Sequence, residues 1–158
     1  MKVLFVCTGN IFRSMSAEYC LKQYLKQNNM EGVEVASAGT AAIIEPMDKT
    51  VKSILLSFGI DPSKHKQRKI TAKHFDEYDL VVAMHKNHQK FIMNHFGKEV
   101  PLFDEICYGE KVSVLDSNQL MPDWQDHMDT VNLYVKYTVE FIHRSIPKFA
   151  KNMGKFVE

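Results

Sequence analysis

Short apolar runs alternate with helix-periodic segments along this chain, and that alternation restricts the fold more than any other feature. Residues 2–6 (KVLFV) form an apolar run that breaks at Thr8-Gly9-Asn10. A run with no polar alternation marks a strand covered on both faces. Residues 14–27 follow with Ala17, Leu21, Tyr24 and Leu25 on one helical face. A second strand is expected over 33–37, before Ala38-Gly39, and a second helix over 48–58, stopped by Gly59 and then Pro62. Residues 79–84 (DLVVAM) read as a third buried strand, 87–96 as a helix closed by Gly97, and 100–103 as a fourth strand. Residues 104–124 read mostly as loop. Residues 129–146 form the expected last helix, with Val131, Val135, Val139 and Ile142 in register. Strands separated by helices imply parallel pairing through right-handed crossovers. The expected architecture is therefore α/β: a single domain over residues 1–158, with a doubly wound four-stranded parallel sheet and helices on both faces. Ligands of such sheets bind at the carboxyl ends of the strands, and the first strand delivers Cys7 to that edge.

Bulk properties exclude several function classes. A chain of 158 residues suits one core, and apolar and charged fractions of 45% and 25% are ordinary for a globular domain. The formal net charge of +1 gives no pull toward nucleic acid or an anionic membrane surface. The opening apolar run is too short for a signal-peptide core or a membrane span, so a cytoplasmic monomer is expected. Cys7, Cys20 and Cys107 are odd in number and unrelated in spacing, which argues against a disulfide framework and a structural zinc site. His85, His88 and His95 read as surface histidines rather than metal ligands, and no metal or cofactor is expected. Tyr134, Tyr137 and Phe141 read as core packing of the last helix, and the basic run at residues 64–69 (KHKQRK) as a solvated loop.

One segment carries chemistry: Cys7-Thr8-Gly9-Asn10-Ile11-Phe12-Arg13-Ser14. A cysteine ends a strand, five residues turn, and an arginine opens a helix. Such a loop can direct successive backbone N–H groups inward as an anion nest, and the helix N-terminus adds partial positive charge. Gly9 and Asn10 tolerate left-handed backbone. Arg13 offers a planar fork matched to two phosphate oxygens. The same field favours the anionic sulfur of Cys7, which can then attack phosphorus while the amides and Arg13 hold the equatorial oxygens. Ser14 is placed to donate a hydrogen bond to that sulfur. No Gly-Lys-Ser/Thr follows, so this is not a nucleotide P-loop.

The stretch VLFVCTGNIFRSMSAEY resembles the signature of the low-molecular-weight protein tyrosine phosphatases. Further likeness runs through Ser37-Ala38-Gly39-Thr40, His65-Lys66-Gln67-Arg68, Phe75-Asp76-Glu77-Tyr78-Asp79 and Met84, nearly the whole chain. The resemblance implies Cys7 as nucleophile and Arg13 as phosphate binder, with the loop Thr8–Ser14 holding the phosphate. It implies Asn10, Ser14 and Ser37 as a hydrogen-bond network that His65 supports. The substrates it implies are phosphotyrosine-containing proteins or peptides. A late aspartate protonates the leaving group in this family, usually in Asp-Pro. Here Asp123, in Met121-Pro122-Asp123-Trp124, is the nearest match, without the following proline, and Asp116 is the competitor. Trp124 stands equally well as a stacking partner of the substrate ring or as a core residue.

Departures from the family pattern separate neighbouring activities. Arsenate reductases on this scaffold need a later pair of resolving cysteines, which is missing here. Arginine phosphatases usually carry Thr where this chain has Ile11, although Met84-His85-Lys86-Asn87-His88 resembles that branch. A tyrosine substrate is therefore expected, with protein arginine phosphatase as the alternative, and a non-catalytic phosphate-binding module as a reading from another class. Phe12 replaces the family cysteine that can shield the nucleophile from over-oxidation, and Cys20 reads as a small buried apolar residue.

Overall fold

The computed structural model describes residues 1–115 and 123–157. Its elements run β1 (Lys2–Cys7), α1 (Arg13–Gln27), β2 (Glu34–Gly39), α2 (Lys49–Ser57), α3 (His74–Glu77), β3 (Leu80–Ala83), α4 (Lys86–Phe96), α5 (Phe103–Tyr108) and α6 (Met128–Asn152), with a 3-10 turn at Trp124–Asp126. The strands form a parallel sheet in the order β2-β1-β3. Alternate side chains of β1 serve two cores. Val3, Phe5 and Cys7 pack with α1, α2, α5 and α6, whereas Leu4 and Val6 pack with Ile92 of α4 and with Phe75, Phe91 and Phe96. This two-sided burial is why residues 2–6 carry no polar alternation. Phe5 anchors α6 through Phe149 at 5.0 Å between ring centroids, and Phe149 stacks on Phe103 of α5 at 5.5 Å.

The expected fourth strand does not form among the described residues. Residues 100–103 contribute one isolated parallel bridge, Ala83 to Leu102, in which the Ala83 amide donates to the Pro101 carbonyl at 2.9 Å. The reason is the supply of donors. Pro101 has no N–H, and the Leu102 amide is turned toward the Glu105 carboxylate at 3.2 Å, so the backbone enters α5. The helix α5 also replaces part of the loop expected over 104–124. The last helix runs past its expected end at Ile146, through Pro147, to Asn152, because its apolar register continues through the buried Phe149 and Ala150. Asp48 caps α2 by accepting from the Thr50 and Val51 amides at 2.8 and 3.0 Å. Tyr137, expected in the core, is 56% exposed. Among the described residues, no helix is long and apolar enough to cross a membrane.

Candidate active site

Cys7, 2% exposed, ends β1 at the carboxyl edge of the sheet, and the chain turns there into α1. Asn10 takes a left-handed conformation with φ of 57°, and its side chain is fully buried. Gly9, the other residue expected to supply left-handed backbone, does not adopt it. A Cβ on Gly9 would meet only ordinary contacts, 3.5 Å from Ile11 Cγ2 and 3.7 Å from Glu45 Oε1. The glycine that the turn cannot do without is Gly39, at the end of β2. A Cβ there would lie 2.4 Å from the Thr8 carbonyl oxygen and 3.0 Å from the Asn10 nitrogen.

A chain of hydrogen bonds holds the loop from within. Ser14 Oγ stands 2.9 Å from Cys7 Sγ. Asn10 Nδ2 donates to Ser14 Oγ at 3.2 Å and to Ser37 Oγ at 2.7 Å, and Asn10 Oδ1 accepts from the Arg68 amide at 2.9 Å. The Asn10 carbonyl accepts from His65 Nε2 at 2.6 Å. The sheet adds two anchors, from the Thr40 amide to the Cys7 carbonyl at 2.9 Å and from the Ala41 amide to the Thr8 carbonyl at 3.0 Å. Among the described residues, nothing accepts a hydrogen bond from the amides of Thr8, Gly9, Asn10, Ile11 or Phe12. Five successive donors without a protein acceptor, beside a helix N-terminus, are the requirement for holding an anion.

Arg13 is 1% exposed and donates from Nη1 to the Val114 carbonyl at 3.0 Å, while the Val114 amide donates to the Met84 carbonyl at 2.8 Å. Ile11 and Phe12 are half-buried, with Phe12 packed against the larger core. Asp123 is 64% exposed at the side chain, and its carboxylate accepts from His127 Nε2 at 3.2 Å. Among the described residues, no hydrogen bond or ion pair joins Asp123 to the loop. Asp116 lies outside the described residues, as do Met121 and Pro122.

Two buried residues extend the network beyond what the sequence reading assigned. Glu18, 3% exposed on α1, accepts from Ser37 Oγ at 2.5 Å, pairs with Lys22, and stands 3.9 Å from His65 Nδ1. A glutamate five residues after the loop arginine, on the buried face of its helix, was the available signal. His88 was read as a surface histidine and is 2% exposed. It sits on the first turn of α4, whose inner face meets the loop, and its Nε2 lies 3.0 Å from Thr8 Oγ1. Burial, aided by the nearby charge of Arg13, pushes its ring down to about pKa 3, so His88 is neutral at physiological pH. Burial likewise lowers His65, against the pull of the Asn10 carbonyl and Glu18. His85 N-caps α4 by accepting from the Asn87 amide at 2.9 Å, and His95 is exposed.

Comparison with known proteins then places the chain. The low molecular weight phosphotyrosine protein phosphatase family matches it over residues 2–154. The chain belongs to this family. A member from Acinetobacter johnsonii, the low molecular weight protein-tyrosine-phosphatase Ptp, is 37% identical over 144 residues, covering 80% of this chain and 96% of that protein. Etp of Escherichia coli, another low molecular weight protein-tyrosine-phosphatase, is 38% identical over 87 residues; the match covers 54% of this chain and only 55% of Etp. Among solved structures, a cysteine-to-serine mutant of the YwlE arginine phosphatase with a phosphorylated active-site serine superposes with a TM-score of 0.81 at 26% identity, covering 98% of this chain and 97% of that one. A low molecular weight protein tyrosine phosphatase from T. tengcongensis gives 0.79 at 28% identity, covering 96% and 98%. Likeness to the phosphatase family thus spans both the loop and the sheet that carries it.

Two predictions follow from the geometry. Below pH 6.5 an unfolded chain takes up a proton at His88 that the folded one refuses until about pH 3. Stability attributable to this residue is therefore present above 6.5 and is lost as pH falls. Between pH 7 and pH 5 the native protein should lose about 2 kcal/mol more than His88→Gln, measured by urea unfolding; parallel pH curves would refute the buried, neutral assignment. The second concerns oxidation. Burial pushes the Cys20 thiol up to about 12 and raises Cys107 as well, and position 12 is a phenylalanine, so a partner thiol for an oxidised Cys7 is lacking. After prolonged peroxide, mass spectrometry should find Cys7 as sulfinic acid that dithiothreitol does not reverse. Full return to the thiol would contradict this.

Proposed function

We propose that this chain hydrolyses phosphotyrosine in proteins through a cysteinyl-phosphate on Cys7. The observation that carries the reading is the run of five loop amides with no acceptor among the described residues, lying between Cys7 and the buried Arg13 that opens α1. That arrangement fits a phosphoryl dianion in front of the sulfur. In the first step Cys7 Sγ bonds to phosphorus, the P–O bond to the tyrosine ring breaks, and a carboxylic acid protonates the departing phenolate. In the second step water attacks phosphorus, the same carboxylate accepts its proton, and the thiolate leaves, releasing inorganic phosphate. Ser14 Oγ, at 2.9 Å, steadies the sulfur as attacker and as leaving group. Arg13, anchored on Val114, binds two phosphate oxygens. Asp123, exposed on the turn before α6, is our choice for the acid, with Asp116 as its competitor. The reaction needs no metal or cofactor, and we place it in the cytoplasm with the protein acting as a monomer.

Tyrosine is preferred because the loop carries the half-buried, β-branched Ile11 in place of a small polar residue, which suits a flat aromatic ring. The relatives from Escherichia coli and Acinetobacter johnsonii, both low molecular weight protein-tyrosine-phosphatases, support the same reading. Phosphoarginine is the second reading, favoured by the superposition on YwlE. p-Nitrophenyl phosphate hydrolysis tests the common chemistry. Cys7→Ser should cost about 10⁴-fold or more in kcat and Asp123→Ala about 10²–10⁴-fold. Undiminished turnover in Cys7→Ser would overturn the mechanism, and a loss confined to Asp116→Ala would move the acid to Asp116. Phosphotyrosine and phosphoarginine peptides, compared by kcat/KM, distinguish the two substrate readings.

A further inference from the structure

The segment after α2 is stitched to the phosphate loop along its length. His65 and the Arg68 amide bond to Asn10, the Gly39 amide donates to the Arg68 carbonyl at 2.8 Å, and the Ile70 amide donates to the Gly39 carbonyl at 2.9 Å. Its side chains alternate as in a strand. His65 and Gln67 turn inward, with Gln67 Nε2 donating to the Glu45 carbonyl at 2.8 Å, whereas Lys64, Lys66 and Arg68 are exposed, as is Lys69. The loop network therefore fixes a row of cations on the same sheet edge that holds Cys7.

Neighbouring elements add to that row. Lys22 of α1 and Lys52 of α2 face the same edge, and the charges of Arg68 and Lys22 both reach the His65 ring. A hollow of about 200 Å³ lined by Glu45, Met47, Lys52, Ser63, His65 and Gln67 opens beside it. The carboxylates near this row are Glu18, Glu45, Asp48 and Asp61. Glu18 is buried with Lys22, and Asp61 accepts from the Ser63 amide at 3.0 Å. Six cations against four carboxylates make this edge more positive than the chain as a whole, whose net charge is only +1. Asp123 and Asp126 stand on a separate element, the turn before α6.

We propose that residues 64–69 form a docking edge for acidic residues that flank the phosphorylated residue of a protein substrate. The inference rests on the phosphatase reading above and names the peptide context it selects. Exposed charges act through solvent, so the edge raises encounter and orientation more than tight binding, and salt should erase its effect. The row is tied through Asn10 and Gly39 to the loop that would seat the phosphate, which sets it beside the path of a substrate chain.

The test compares two phosphotyrosine peptides, one flanked by aspartate and glutamate and one by serine and glycine, against native protein and a Lys64→Gln, Lys66→Gln, Lys69→Gln variant. At low ionic strength the native protein should favour the acidic peptide by about 5- to 10-fold in kcat/KM, shrinking to about 2-fold or less in 0.5 M NaCl. The variant should lose that preference while hydrolysing p-nitrophenyl phosphate at the native rate. Equal kcat/KM for the two peptides in the native protein, or a preference that survives in the variant, would overturn the docking edge and leave the phosphatase reading standing. Failure of the native protein to hydrolyse p-nitrophenyl phosphate would remove both.

Discussion

The side chain of Asn10 is the interaction on which the rest of the site depends. It is fully buried, sits on left-handed backbone, and satisfies Ser14, Ser37 and the Arg68 amide at once. Each of those partners belongs to a different part of the fold: α1, β2 and the segment that follows α2. One carboxamide therefore ties the loop to three supports, and the backbone carbonyl of Asn10 is held by a fourth group, His65. A buried polar network with every member satisfied is rigid, because moving one member leaves several groups unpaired in a medium where that is costly. Rigidity is what an anion-binding loop needs to keep its amide donors free for a ligand.

Two buried histidines show how the surroundings complement that loop. A protonated ring at His88 would place another cation beside Arg13 in a poorly solvated space, and burial keeps the ring neutral instead. His65 is lowered by the same cause, although Glu18 and the Asn10 carbonyl oppose it. Both rings thus act as hydrogen-bonding wedges rather than charges. The positive field at the loop comes from backbone dipoles and Arg13, and the exposed cations of residues 64–69 stay at the solvent edge, where salt screens them.

Much of this was legible in the sequence, for identifiable reasons. The strand of residues 2–6 stood out because both its faces are buried, and the loop stood out because cysteine, glycine, asparagine and arginine occupied positions with separate physical duties. The fourth strand was misread because apolar content at residues 100–103 masked a shortage of donors: Pro101 has no N–H, and Glu105 draws the Leu102 amide away. The last helix was expected to end at Ile146, but packing of Phe149 against Phe5 and Phe103 outweighs the local cost of Pro147 and carries it on. His88 was misplaced because sequence spacing cannot tell which face of a short helix meets the phosphate loop. Glu18 went unassigned because its role exists only once Ser37, distant in sequence, is brought beside it.

The most direct test of the account is Asn10→Gly, which keeps left-handed backbone accessible and removes only the carboxamide. Vanadate affinity and p-nitrophenyl phosphate turnover should both fall by about 10²-fold or more, with far-UV circular dichroism unchanged, since the loop amides lose their common direction. Values within about threefold of the native protein would contradict it, and would mean that the loop holds its shape without the network described for it.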